Sequence, residues 1–296
     1  YAALCGLTGE EIRANFVPEL KLLAEANHLD GEACMERLTR MYDGYHFNYR
    51  DMVGVYNPFS ILNVLDTTMF DNFWFASGTP TFLVEILKKT DFDLRELDGI
   101  EVSAASLTDD RADINNPVPM IYQSGYLTIK KYDNEFQIYT LGFPNEEVKY
   151  GFLNFVTPFY TPIKETDTSF YIGKFIRELR EGDPDAFLTR LRAFFAGISY
   201  ELNDRTERHY QTIFYLVFKL MGQFSEAEVR RADAVVKTAD YIYVFEFKLD
   251  GSAEQALAQI DDRGYLIPYT VDGRKLMKIG VNFDPKERNI GDWKIN

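Results

Sequence analysis

The sequence predicts an α/β chain of the α+β kind, with helices first and a sheet last. Three observations carry this. Apolar residues recur at helical spacing through residues 1–75, two runs of β character follow, and from residue 205 the order reads helix, strand, strand, strand, helix, strand, or αβββαβ. With 296 residues, 46% of them hydrophobic and 15% aromatic, the chain has the length for about two domains and ample material for their cores. That composition excludes a wholly disordered or collagen-like chain.

The elements follow in order. Thr8 with Glu10 and Glu11 reads as a capped helix start, and Pro18-Glu19-Leu20 opens a second helix that turns Leu20, Leu22, Leu23 and Ala26 to one side. A third helix runs from Gly31 to Met41. Tyr42-Asp43-Gly44-Tyr45-His46-Phe47 breaks the period, and Asn57-Pro58-Phe59 restarts a helix through Leu65. Residues 1–75 are therefore read as a helical region. A helix over Thr79–Lys89, an acidic stretch, and the β runs Ile121–Lys131 and Glu135–Leu141 joined at Tyr132-Asp133-Asn134 make a second region, residues 76–150, in the helix-then-hairpin order of a winged-helix unit. Its acidity favours a packing or linking role over DNA binding.

Periodicity weakens over Pro144–Pro162, which places a boundary near residue 150. Helices Ser169–Arg180 and Asp183–Phe195 lead into the third region, residues 151–296, the second of them with Asp183 as N-cap and Pro184 at its first position. The αβββαβ series there is helix Arg205–Met221, strands Phe224–Arg230, Ala232–Thr238 and Tyr241–Leu249, helix Ser252–Asp262 and strand Leu276–Asn282.

Net charge is −14, which as a total disfavours nucleic acid, yet the acidity is uneven. Residues 1–150 hold 12 Lys and Arg against 24 Asp and Glu, whereas residues 151–296 hold 20 against 22. The second half is thus compatible with a local basic surface. No run approaches the ~20 apolar residues of a membrane-spanning helix, and no signal sequence opens the chain, so the expected location is the cytoplasm. Cys5 and Cys34 make no disulfide framework, and with His28, His46 and His209 they make no zinc site. The first residue is Tyr1 rather than Met, which predicts a piece of a longer chain.

Chemistry concentrates in Tyr241–Leu249. Odd positions there are all apolar, while the even positions run Ile242, Val244, Glu246, Lys248, so one face changes from apolar to ionic at its end. A two-residue turn at Ala239-Asp240 pairs Thr238 with Tyr241 and, residue by residue, sets Asp233 across from Glu246. Opposed like charges are destabilising unless compensated. Either a divalent cation, magnesium or manganese, or the neighbouring Lys248 supplies the compensation, and spacing leaves both open. Ser252 and Gln255 form a capping box that starts the next helix, where Gln259 lies beside the sheet-facing Ala256 and Ile260. Glu207 lies next to the apolar stripe Tyr210, Phe214, Val217 and Phe218. Gln259 can reach toward the polar edge of the sheet and the Glu207 carboxylate can approach the site, although by spacing alone a solvated helix residue is the commoner reading of each.

Asp233, Glu246-Phe247-Lys248 and Gln259, in the order αβββαβ, together resemble the PD-(D/E)XK nuclease superfamily, whose fold is that of restriction endonucleases. The longer runs Arg231-Ala-Asp-Ala-Val-Val, Tyr243-Val-Phe-Glu-Phe-Lys-Leu-Asp-Gly and Glu254-Gln-Ala-Leu-Ala-Gln-Ile resemble a bacterial family in which an AAA-ATPase-like domain precedes such a nuclease domain. Met41-Tyr-Asp-Gly-Tyr-His-Phe, Val55-Tyr-Asn-Pro-Phe-Ser, Phe73-Trp-Phe-Ala-Ser-Gly-Thr-Pro and Tyr122-Gln-Ser-Gly-Tyr-Leu-Thr-Ile resemble that family's region after its nucleotide-binding core. The resemblance implies Asp233 and Glu246 as ligands of Mg²⁺ or Mn²⁺, Lys248 as the residue that positions or activates water, and Glu207 and Gln259 as supporting site residues. It also implies nucleic acid as partner, DNA ahead of RNA, with a non-catalytic interaction or regulatory module as the alternative. The chain departs from the family twice. It has no G-x-x-x-x-G-K-[ST] loop, so no ATP site is assigned to it, and Arg230 abuts Arg231 where such proteins carry a glycine-containing loop.

Overall fold

The computed structural model describes residues 5–50, 52–76, 83, 85–87, 90, 92–108, 116–161, 163–197, 207–230, 233–249 and 251–296, with the backbone alone at 75–76, 165, 207–209, 228–230 and 233. The chain divides into two units, Tyr1–Phe152 and Leu153–Asn296.

In the first unit, local signals start each helix. Helix α1 (Gly9–Asn15) opens with a capping box in which Thr8 Oγ1 accepts from the Glu11 amide at 3.2 Å and the Glu11 carboxylate accepts from the Thr8 amide at 2.8 Å. Helix α2 (Val17–Ala26) carries Pro18 in its first turn, where the missing N–H costs nothing. Asp30 caps α3 (Gly31–Tyr42), and Asn57 Oδ1 accepts from the Phe59 amide at 2.9 Å to start α4 (Pro58–Thr67). The four helices bury Ile12, Leu23, Leu38, Tyr42, Ile61 and Val64 completely, each aliphatic side chain contributing about 1.5–3 kcal/mol.

After α5 (Phe73–Ala76), the chain forms β1 (Ile100–Ser103), α6 (Ala104–Thr108), α7 (Val118–Gln123), β2 (Thr128–Asp133) and β3 (Ile138–Gly142). The three strands make an antiparallel sheet in the order β1-β3-β2. Two expectations change here. The run expected as a strand from Ile121 begins as helix α7, because Val118 and Ile121, three residues apart, are buried together just after Pro117. Gly125, at φ +82°, follows that helix, and the strand starts only at Thr128. The hairpin turn lies at residues 134–137 rather than 132–134, since Asp133 Oδ1 accepts from the amides of Glu135 and Phe136 at 2.9 and 3.0 Å. The expected helix over Thr79–Lys89 lies mostly outside the described residues.

The division between the units falls within α8 (Glu146–Tyr160). In the second unit, α9 (Thr168–Arg180), α10 (Pro184–Ala196) and α11 (Glu207–Met221) precede the sheet, and Asp183 caps α10 through the Ala186 amide at 2.9 Å. Strands β4 (Glu226–Arg230), β5 (Asp233–Lys237), β6 (Tyr241–Leu249), β7 (Lys275–Asp284) and β8 (Asn289–Ile295) form one sheet in sequence order. The first three meander antiparallel. Helix α12 (Ala253–Asp262) then carries the chain back so that β7 joins β6 in parallel, as a parallel neighbour requires a crossover. Arg230 pairs with Asp233, leaving residues 231 and 232 as the connection, both outside the described residues.

Strand β8 adds an element to the expected αβββαβ series. Its apolar residues Ile290, Trp293 and Ile295 break strict alternation because the β7–β8 register shifts between Val281 and Phe283. On the apolar face of β6, Phe245 meets Phe187 and Phe218 at ring-centroid distances of 5.5 and 5.2 Å, and Phe247 meets Phe214 at 4.3 Å. This aromatic layer leaves the opposite face of β6 to α12.

Candidate metal centre

The two-residue turn fixes the register of the site. The Thr238 amide donates to the Tyr241 carbonyl at 2.8 Å, and the pairing runs on to Asp233 opposite Glu246. Strand β6 is buried from Ile242 through Phe247, and Glu246 is the charged residue inside that run, 1% exposed. Such burial demands compensation, because removing a carboxylate from water costs several kcal/mol.

The compensation comes from Lys248 and Gln259. Gln259 Nε2 donates to Glu246 Oε1, while Lys248 Nζ donates to Gln259 Oε1 and lies 3.6 Å from Glu246 Oε1. The amide of Gln259 thus bridges carboxylate and ammonium, each end matched to the charge it meets. Sequence spacing alone reads Gln259 as solvated, but the burial of Ala256 and Ile260 turns its helix face to the sheet. The Lys248 side chain is 30% exposed, so the network opens to solvent at that edge.

Two residues of this region escape a reading by charge. Gly280 pairs with Glu246 across the parallel β6–β7 ladder, and a Cβ placed there would lie 2.3 Å from the Ala253 carbonyl oxygen and 2.7 Å from the Leu257 amide nitrogen. Glycine at this position therefore permits the close approach of α12, the helix that carries Gln259. Its signal was a glycine inside an apolar strand. Asn282 pairs with Lys248, and its Nδ2 donates to Asp292 Oδ1 at 3.0 Å; its signal was one amide between Val281 and Phe283.

The structure thus brings Glu246, Lys248 and Gln259 together and sets the Asp233 backbone opposite Glu246. Glu207 opens α11, and the side chains of Glu207 and Asp233 lie outside the described residues. Among the described residues, no three His, Cys, Asp or Glu side chains form a metal cage. By residue type, a buried glutamate with an aspartate at the facing backbone position is a hard oxygen donor set of the kind that a magnesium-type ion takes.

Comparison with known proteins finds two matches. Residues 205–293 match the PD-(D/E)XK nuclease superfamily. A relative described as an uncharacterized protein in the vnfD 5′ region of Azotobacter chroococcum is 30% identical over 303 residues, which cover 98% of this chain and 56% of the relative. The chain therefore spans about half the length of that curated protein. No solved structure matches this chain.

Proposed function

From the premise that residues 205–293 are a PD-(D/E)XK nuclease superfamily domain, we propose that the chain is a metal-dependent nuclease that hydrolyses phosphodiester bonds, of DNA ahead of RNA. One observation carries the reading: Glu246, Lys248 and Gln259 are joined on one face of β6 and α12, with Asp233 at the facing position of β5. Asp233 and Glu246 would hold Mg²⁺ or Mn²⁺, which when bound lowers the pKa of water and offsets phosphate charge. Lys248 orients the attacking water and stabilises negative charge that accumulates on the phosphate oxygens. Gln259 holds the glutamate and the lysine in register, and Glu207 supports the site from α11.

The first unit supports a further part of this reading. Its order, strand β1, helices α6 and α7, then the β2–β3 hairpin with β1 paired to β3, is compatible with a winged-helix-like unit. In the longer protein this unit would follow an AAA-ATPase-like core, as the motifs from Met41 to Ile129 resemble.

The test is cleavage of single-stranded DNA, duplex DNA and RNA with magnesium or manganese, beside the Lys248→Ala variant and an EDTA control. Metal-dependent cleavage that disappears in the variant is the expected result. A second reading, a nuclease-like interaction module, draws on the 3.6 Å Lys248–Glu246 pair, whose charges balance without a metal. An absence of both cleavage and metal binding by calorimetry in the folded chain would select it.

A further inference from the structure

The first unit contains a cavity of about 430 Å³, within the range of about 300–1,000 Å³ common for small-molecule sites. The four motifs between Met41 and Ile129 meet there. Tyr45 and His46 come from the first, Asn57 from the second, Trp74 from the third, and Tyr122 and Gln123 from the fourth. The nuclease reading gives these motifs no role.

The walls define the chemistry of an occupant. Rings of Tyr45, Trp74 and Tyr122 supply flat apolar surface, and none of the described side chains lining the cavity is an Asp, Glu, Lys or Arg. A phosphate or carboxylate would meet no cationic side chain in the described lining. An alkyl chain would leave polar groups without partners, since amide and hydroxyl side chains lie among the rings.

His46 sharpens the argument. Its Nδ1 lies 3.1 Å from the Ile129 carbonyl oxygen, which only accepts, so Nδ1 carries the proton and Nε2 is the acceptor. Burial, and then the charge of Lys130, hold the imidazole below its usual pKa and therefore neutral. The ring is clamped by its own backbone: the His46 amide donates to Thr128 Oγ1 at 2.7 Å, and that hydroxyl donates to the His46 carbonyl at 3.2 Å. Among the described residues, Nε2 has no hydrogen-bond partner. Gln123, exposed at the rim, adds a group that both donates and accepts.

An uncharged planar ring with donors and acceptors around its edge meets each of these conditions. We propose that the cavity is a nucleobase-binding site, in which the base stacks on the aromatic walls and is read at its edge by His46 and Gln123. The base has two possible sources, a free nucleoside or one residue of a single strand. The site is separate from Glu246 and Lys248, so the proposal does not depend on the nuclease reading.

The chain has two tryptophans, and Trp293→Phe leaves Trp74, in the cavity wall, as the sole tryptophan, whose emission is excited apart from that of the tyrosines. In a chain that also carries Lys248→Ala, with EDTA present to prevent cleavage, each of the four deoxynucleosides and short homopolymeric single-stranded oligonucleotides would be titrated. The expected result is saturable quenching of Trp74 by at least one base. Tyr122→Ala should weaken it about tenfold through loss of a stacking surface, and Gln123→Ala should alter the preference among bases. Quenching by nucleosides and oligonucleotides alike assigns a free ligand, and quenching by oligonucleotides alone assigns a strand. An absence of saturable quenching at millimolar ligand, or quenching that neither variant changes, would overturn the proposal. Should Tyr122→Ala not fold, the exposed position of Gln123 keeps its variant decisive.

Discussion

Glu147 of the first unit and Glu246 of the second are 0% and 1% exposed, but their surroundings differ in kind. Glu147 accepts from Ser60 Oγ at 2.7 Å and from the Trp74 amide at 2.9 Å, both neutral donors. These bonds favour the charged form, yet burial outweighs them and pushes the carboxyl up to about 7. Glu246 instead has an ammonium 3.6 Å away and an aspartate at the facing strand position. The contrast shows that burial alone does not mark a site. A carboxylate tied to neutral groups relaxes toward protonation, whereas one held beside a cation, with a second acid at the facing strand position and an edge that solvent reaches, is the arrangement that the proposed chemistry would use.

The largest expected effect separates the two glutamates by activity. Lys248→Ala should reduce metal-dependent cleavage by about 10²–10⁴-fold, while Glu147→Gln should leave it unchanged. Equal losses in the two variants would erase the distinction.

The next effect separates them by pH. The folded pKa of Glu147 is raised above its ordinary 4.5 to about 7, so between those values the unfolded chain loses the proton before the folded chain does. Stability from this group therefore falls as pH rises from about 4.5 to 7, by about 3 kcal/mol, and then levels off. Urea unfolding across that range should show the decline in the parent and a flatter profile in Glu147→Gln. Parallel profiles would mean that Glu147 is not the group responsible.

The smallest change in stability is expected at Asp233. Asp233→Asn removes one of two opposed acids, so its thermal midpoint should stay level or rise slightly, corresponding to about 1 kcal/mol or less. Calorimetry should at the same time show weakened magnesium binding. Unchanged affinity would remove Asp233 from the ligand pair.

Legibility followed the range of the interactions. Thr8, Asn57, Asp183 and Ser252 each announce a helix start, because a cap acts on amides two or three residues away. The facing of Asp233 and Glu246 was readable for a similar reason, as the Ala239-Asp240 turn sets the register of both strands. Helix α7 was misread because Val118–Gln123 is apolar and short, a run in which period two and period 3.6 are hard to separate. Strand β8 was missed because a bulge shifts its alternation.

By itself, the sequence determined the α+β class, the capped helices, the apolar and ionic faces of β6, and the pairing that opposes two acids. These depend on neighbours in the chain or on a turn of two residues. Only the tertiary structure decided that Gln259 bridges Glu246 and Lys248, that Gly280 makes room for the helix carrying it, and that four separate motifs enclose one aromatic cavity. Each of these joins residues distant in sequence, whose meeting depends on how helices and sheets pack rather than on any local preference.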